Sequence, residues 1–211
     1  MERIRKKHHS FFVCLCFFSN TAFTQAKTGI ENYNFLGQGQ EYIWMPVVHY
    51  QAKKGFYAEL RYNYEDFQTL SLYGGKTFGG GDQLQYSFTP MVGISTGKFK
   101  GISFAINTET EWKNFYLSSQ TQYSKGIQKG SNDFFFNWSE LGYTISRNFF
   151  GGVALQFTRE GGMNDPEPGF LAGLNLGNIS IPVYLFHPFN KGRYFIVGLN
   201  YEFDFKNKKK R

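Results

Sequence analysis

Over most of the chain, large apolar and polar residues alternate one for one. In "DQLQYSFTPMVGIST", Leu84, Tyr86, Phe88, Pro90, Val92 and Ile94 fall on one face, with Gln83, Gln85, Ser87, Thr89, Gly93 and Ser95 on the other. "GISFAINTETEW" sets Ile102, Phe104, Ile106 and Trp112 against Ser103, Ala105, Asn107, Glu109 and Glu111. "GFYAELRYNYED" sets Phe56, Ala58, Leu60, Tyr62 and Tyr64 against Tyr57, Glu59, Arg61, Asn63 and Glu65. Successive side chains of a β-strand point to opposite sides of the sheet, so each stretch predicts a strand with one apolar and one polar face.

Turn residues separate the stretches: "AKKG" (52–55), "GGGD" (79–82), "TGKFKG" (96–101), "WKN" (112–114), "KGIQKGSND" (125–133), "RN" (147–148), "GGMNDPEPG" (161–169), "GN" (177–178) and "PFNKG" (188–192). One more turn is needed near Glu65 and Asp66. The segments so marked run 42–51, 55–65, 67–78, 83–95, 101–112, 114–124, 134–146, 149–159, 169–176, 179–187 and 193–205. That is an odd number, whereas closed bacterial barrels normally have an even count of antiparallel strands. "IENYNFLGQ" (30–38) supplies the missing one.

With that first strand in place, the turns at 52–55, 79–82, 112–114, 147–148 and 177–178 share one end. The turns near 65 and at 96–101, 125–133, 161–169 and 188–192, most of them longer, share the other. Short periplasmic turns and longer external loops are the layout of a membrane barrel. The expected fold is all-β, a transmembrane antiparallel up-and-down β-barrel of about 12 strands, with ten as the alternative because 30–38 is a weak strand.

A soluble barrel also alternates, with its apolar face inward. Two features favour the membrane. The polar faces collect Glu59, Arg61, Asn63, Asn107, Glu109, Glu111, Gln120, Gln122, Asn200, Glu202 and Asp204, while the apolar faces are nearly free of charge, as a lipid-facing band requires. Aromatic residues, 20% of the chain, gather toward strand ends at Tyr42, Trp44, Tyr62, Tyr64, Trp112, Phe115, Tyr123, Tyr201 and Phe203, where their rings would sit at headgroup level. After residue 25 no stretch is apolar for the length a membrane helix needs.

The N-terminus reads differently. "MERIRKKHHSFFVCLCFFSNTAFTQAK" has a basic head, a short apolar run from Phe11 to Phe18, and then small and polar residues, which is the layout of a secretory signal peptide. Cleavage is expected after Thr24, with Ala26 the alternative, giving a leader (1–24), a barrel (25–205) and a basic tail (206–211). Both cysteines, Cys14 and Cys16, leave with the leader, so no disulfide is expected in the mature chain. The net charge of +7 is an effect of the ends: the first seven residues carry +3, the last six +5, and the rest −1. With no basic face on the body, no nucleic-acid partner is expected.

The last segment, "RYFIVGLNYEFDF", places Phe195, Val197, Leu199, Tyr201, Phe203 and Phe205 on one face. It resembles the closing strand of Gram-negative outer-membrane β-barrel proteins of porin-like type, and with the leader and the repeated hairpins the resemblance covers most of the mature chain. The resemblance implies a place in the cell outer membrane. It also implies that these six residues are read by the outer-membrane assembly machinery and that the last strand pairs with the first. The six residues "KNKKKR" after Phe205 depart from it, since family members often stop at the aromatic.

Candidate chemistry is sparse. His49 and His187 lie on different segments, and a lipid hydrolase would pair one of them with a serine such as Ser139 and an orienting group such as Glu140 or Asn137. No spacing brings these together. Asp165 and Glu167 in "GGMNDPEPG", with Glu160 before them, lack the ligand spacing of a calcium loop and read better as a solvated external loop. No cofactor and no metal are expected. Gly74–Gly75 and Gly151–Gly152 suggest bulges or close packing within strands.

What remains is the lumen, expected to be lined by Glu59, Arg61, Asn107, Glu109, Glu111, Glu140 and Glu202. About twelve strands leave a narrow or partly plugged interior. Its carboxylates either form an internal stabilising network or an acidic constriction favouring cations. A small passive pore or structural barrel is the first reading. A membrane-embedded hydrolase acting on lipid is the second, and a secreted soluble β-barrel binding an apolar ligand the third.

Overall fold

The computed structural model describes residues 26–37 and 41–205. The expected leader and the basic tail lie outside the described residues, as do the side chains of Asp204 and Phe205. The strands are β1 (Ala26–Gly37), β2 (Ile43–Gln51), β3 (Phe56–Tyr62), β4 (Thr69–Lys76), β5 (Phe78–Gly80), β6 (Leu84–Gly97), β7 (Gly101–Trp112), β8 (Phe115–Gly126), β9 (Phe134–Thr144), β10 (Phe149–Glu160), β11 (Met163–Leu176), β12 (Ile179–Phe186) and β13 (Tyr194–Phe205). Both β4 and β5 pair with β6, so they are two parts of one strand interrupted at Thr77. All neighbouring pairs are antiparallel, and β1 meets β13 from Ala26↔Phe205 to Gly37↔Tyr194, which closes a barrel of twelve strands.

The turn ends fall as the alternation requires. Residues 52–55, 81–83, 113–114, 145–148 and 177–178 connect strands at the end where β1 begins and β13 finishes. The connections at 63–68, 98–100, 127–133, 161–162 and 187–193 lie at the other end. The first strand is longer than its weak pattern suggested, starting at Ala26, because ladders on both sides supply the pairing that its own side chains do not.

Two boundaries differ from expectation. β3 stops at Tyr62, because Asn63 adopts a φ of 58° and takes the backbone out of the extended region. "GGMNDPEPG" is not an open loop: Gly161 and Gly162, at φ 56° and 84°, make a two-residue hairpin turn, and β11 begins at Met163. Pro166 and Pro168 are tolerated there because β12 starts pairing only at Gly169, so no ladder partner needs their missing N–H groups.

Exposure along the strands is inverted relative to a soluble protein. Val92, Ile94 and Phe104 are 57%, 63% and 64% exposed, while Ser103 and Ser124 on the inner face are 0% exposed. A water-soluble barrel would bury the first set and expose the second. Aromatic rings band both ends of this apolar surface. Trp112, Phe115 and Tyr143 contact one another at the short-turn end, and Trp44 meets Tyr62 at the other.

Glycines on the inner wall make room for rings from the next strand. A Cβ on Gly142 would stand 2.1 Å from Tyr116, one on Gly173 2.2 Å from Phe150, and one on Gly93 2.5 Å from Tyr73. Each ring lies flat over the gap left in the neighbouring strand, and this small-over-large pairing fills a twelve-strand interior without leaving a wide channel.

Candidate functional site

The interior has two sides. Along β9 to β13 and β1 it is aromatic. The Trp138 and Tyr184 rings meet at 5.1 Å, Phe186 and Tyr194 stack at 5.3 Å, and Tyr33 reaches Trp138 at 5.6 Å, with Phe150, Leu171 and Ile196 packed into the same cluster. These residues have the inward parity of their strands, so apolar side chains here face inward as well as outward.

The other side, from β3 to β8, is a polar network centred on Arg61, which is 2% exposed. Its Nε donates to Glu59 Oε1, its Nη1 donates to Gln122 Oε1 at 2.7 Å, and Nη1 lies 3.6 Å from Glu65 Oε1. The guanidinium is also flanked by the rings of Tyr64 and Tyr73, at 4.4 Å and 4.3 Å from its Cζ. Glu65 in turn accepts from Tyr73 Oη at 2.8 Å and from Ser71 Oγ. Tyr57 donates to Glu59 and Tyr64 to Gln120. A buried guanidinium is stable only when its charge and its donors are matched in this way.

Tyr64 therefore sits inside the barrel and not on the apolar outer face, where strict alternation had put it. The turn at Asn63 is the cause. Asn63 Oδ1 accepts from the Gln68 N–H at 2.7 Å, its own N–H reaches Thr69 O at 2.9 Å, and its Nδ2 holds Trp44 O at 2.9 Å, so segment 63–68 is folded back over the lumen. Across the mouth, Phe99 is tucked in against Phe134 with ring centres 5.3 Å apart, its N–H bound to Thr69 Oγ1 at 3.0 Å. Thr69, Ser71, Ser124, Phe186 and Ile196, inward side chains of this half, are buried.

The other half is open. A cavity of about 510 Å³ reaches from the short-turn end to Arg61, Trp138 and Tyr184. Glu31, Glu59, Glu109, Glu111, Glu140 and Glu202 line it, against Lys27, Lys113 and Arg61. The barrel is thus a cup, acidic in its open half and packed in its closed half.

No protein-family model matches the sequence, and no curated protein does. Solved structures do. The chain is similar to the KdgM porin in complex with disordered oligogalacturonate, with a TM-score of 0.63 at 10% identity, over 83% of this chain and 99% of that one. A second KdgM porin structure gives 0.58 at 10% identity over the same shares, and the NanC porin gives 0.55 at 8% identity over 81% and 97%. The chain shares the barrel fold of these porins. Since the cover of each porin is nearly complete, the likeness extends round the whole barrel.

Glu59, Arg61, Asn107, Glu109, Glu111, Glu140 and Glu202 are among the residues that line this cavity. Glu140 accepts from Tyr184 Oη at 2.7 Å, and Glu202 lies 4.0 Å from Lys27 Nζ. Phe195, Leu199 and Phe203 of the last strand stand exposed on the outer face. The residues weighed for hydrolysis are not brought together. Ser139 and Asn137 face outward, Glu140 faces inward, His49 lies in the lumen 3.3 Å from Glu31, and His187 lies beyond β12 at 3.4 Å from Glu167.

Reading the sequence missed Glu31 and Glu65 as interior carboxylates, and the aromatic wall. Glu31 was legible in "IENYNF", where it shares parity with Tyr33 and Phe35. Glu65 had the polar-face parity of Glu59 and Arg61 in "GFYAELRYNYED", although it reaches the interior from the turn after β3.

Proposed function

We propose that the protein is a transmembrane barrel of the outer membrane that acts as a narrow passive pore, with its short turns and chain ends in the periplasm and its longer loops outside. The porin fold and the exposed apolar belt between two aromatic bands support this reading. On the same reading, residues 1–24 direct export and are cleaved, and 25–205 form the pore. Phe195, Val197, Leu199, Tyr201, Phe203 and Phe205 are the surface that the assembly machinery reads, and the lipid bilayer is the partner of the outer face.

The observation that carries the selectivity is the charge of the cavity wall, six glutamates against two lysines and one arginine. Of these three cations Arg61 is already bound to Glu59 and Glu65. In a confined low-dielectric passage such an excess raises the local concentration of cations and repels anions. The KdgM structure holds oligogalacturonate, a chain of carboxylates. This interior opposes such a ligand, so the likeness to KdgM extends to the barrel and not to that solute.

The test is the reversal potential of the purified barrel in a planar bilayer under a salt gradient. A sign reporting cation preference is expected. Anion preference, or no conductance after insertion is verified by a gel-mobility shift on boiling, would overturn the pore reading.

A further inference from the structure

The carboxylates nearest Arg61 have cationic neighbours. Glu59 and Glu65 share Arg61 itself, and Glu31 lies 3.3 Å from His49 Nδ1. Glu140, half-buried on the wall of the same cavity, has none: among the described residues no Lys, Arg or His stands at ion-pair distance from it. Its Oε1 accepts from Tyr184 Oη at 2.7 Å, and a carboxylate has lone pairs for further donors. The surroundings are aromatic. Trp138, two residues earlier on β9 and 7% exposed, meets Tyr184 at 5.1 Å and Tyr33 at 5.6 Å, and the half-buried Tyr116 packs against the same cluster. Tyr33, Tyr116, Trp138 and Tyr184 all line the cavity. Two polar atoms of this wall are buried and make no hydrogen bond. One is Trp138 Nε1, near the Glu140 carboxylate. The other is Asn200 Oδ1, on the amide whose Nδ2 is 3.4 Å from Tyr33 Oη.

A carboxylate set among rings without a cation is costly, and a positive charge brought by a solute removes that cost. The rings favour the same charge, since their faces attract cations. A hard metal ion is a poor match. It needs six or more oxygen ligands, and among the described residues no group of carboxylates or histidines is placed to hold a metal. An organic ammonium ion needs less. Its N–H groups can bond acceptors such as Glu140 and Asn200 Oδ1, and its carbon body can lie on the rings in place of water. We propose that Glu140, with the rings of Tyr33, Tyr116 and Trp138, is a binding site for an organic ammonium cation. Glu109, Glu111 and Glu202, nearer the open end, draw such a solute toward it.

The inference deepens the pore reading and rests on it for the passage of the solute, whereas the site is tested by binding alone. The exported full-length protein is purified in detergent, checked for its mobility shift on boiling, and titrated calorimetrically against a detergent blank. The probes are benzylammonium, its neutral counterpart benzyl alcohol, and sodium. Saturable binding of benzylammonium is expected, at least about tenfold tighter than either of the others. Glu140→Gln keeps an acceptor for Tyr184 but removes the charge, and should weaken benzylammonium about tenfold. Tyr33→Leu removes a ring and should weaken it several-fold. Glu160→Gln, at the long-loop end, should leave it unchanged. If the Glu140→Gln barrel does not fold, Tyr33→Leu decides. No saturable binding, equal affinity for benzylammonium and benzyl alcohol, or an affinity untouched by Glu140→Gln or by Tyr33→Leu overturns the site. Any of these beside a cation-preferring conductance leaves the pore reading intact. Binding that is lost in Glu140→Gln, in a barrel that does not conduct, upholds the site and overturns the pore.

Discussion

Arg61 Nη1 donates to Gln122 Oε1 at 2.7 Å, tying β3 to β8 across the interior of the barrel. The same guanidinium is the counter-charge of Glu59 and Glu65. Replacing Arg61 by Met keeps the bulk and removes the cation, leaving two buried carboxylates without one, a loss of about 3–5 kcal/mol. Unfolding in urea, followed by the mobility shift of the folded barrel, should show it. Replacing Glu59 and Glu65 by Leu in the same chain should restore most of the loss, because a buried network exchanged as a whole for apolar groups costs little. An Arg61→Met barrel as stable as the parent would mean that water reaches this site.

The direction of the apolar faces gives a second prediction. Val92 is 57% exposed on the outer surface. In a bilayer Val92→Arg should cost about 2–4 kcal/mol near the midplane, whereas on the surface of a soluble barrel it would stay within about 0.5 kcal/mol. Ser87→Arg, on the cavity wall, should be tolerated. Comparing the two variants in urea tests the lipid-facing assignment by itself.

The alternation that located these faces was legible because strand parity is conserved from Leu84 to Ile94 and from Ile102 to Ile106 without a bulge. Closure by pairing of the first and last strands was implied by the resemblance of the final segment to outer-membrane barrels, with "IENYNFLGQ" counted as the first strand. Parity failed where the backbone leaves the extended region, so the turn at Asn63 carried Tyr64 inward without warning. Composition failed where both faces are apolar. In "FFFNWSE", Phe134, Phe135 and Phe136 show no alternation, and Trp138 belongs to the interior although its neighbour Asn137 belongs to the lipid side. Which rings pack inside could be assigned only from the register.

The open half of the lumen should set ion preference without holding the barrel together. Glu109 and Glu111 on β7 are exposed to the cavity, and Glu202 faces it from β13. Replacing the three by Gln should move the reversal potential in a salt gradient toward zero, with urea stability within about 0.5 kcal/mol of the parent. An unchanged potential would shift the selectivity to the deeper Glu31, Glu59 and Glu140.

The glycine-over-ring packing predicts a cost for adding a single methyl group. In Gly142→Ala the new carbon would fall 2.1 Å from Tyr116. Since the ring is held against Phe150 at 6.2 Å, it cannot move without disturbing the aromatic wall, and a loss of about 1–3 kcal/mol is expected. Tyr116→Leu in the same chain should recover part of it. Gly177→Ala is a poor control because its φ is 67°. Gly74→Ala, with no atom within 4 Å and an ordinary φ, is a good one and should leave the midpoint unchanged.

If the barrel is a pore, passage depends on the packed half at the long-loop end, and the side chains that close it come from the folded-back segment 63–68 and from Phe99. Tyr64 lies against Arg61 and Phe136 and donates to Gln120, while Phe99 covers the mouth beside Phe134. Cutting Tyr64 to Ala removes the ring and its hydrogen bond but keeps the Arg61 contacts with Glu59, Glu65 and Gln122, so the barrel should remain folded. The same holds for Phe99→Ala, whose ring belongs to a turn and not to the ladder. Each variant should raise single-channel conductance in a planar bilayer, and the two together should raise it more than either alone, since they clear opposite sides of one opening. An increase with Phe99→Ala alone would put the barrier at the mouth. An increase with Tyr64→Ala alone would put it deeper, level with Arg61. No change with both would mean that ions cross along the aromatic wall of Phe186 and Tyr194, or that the closed half never opens.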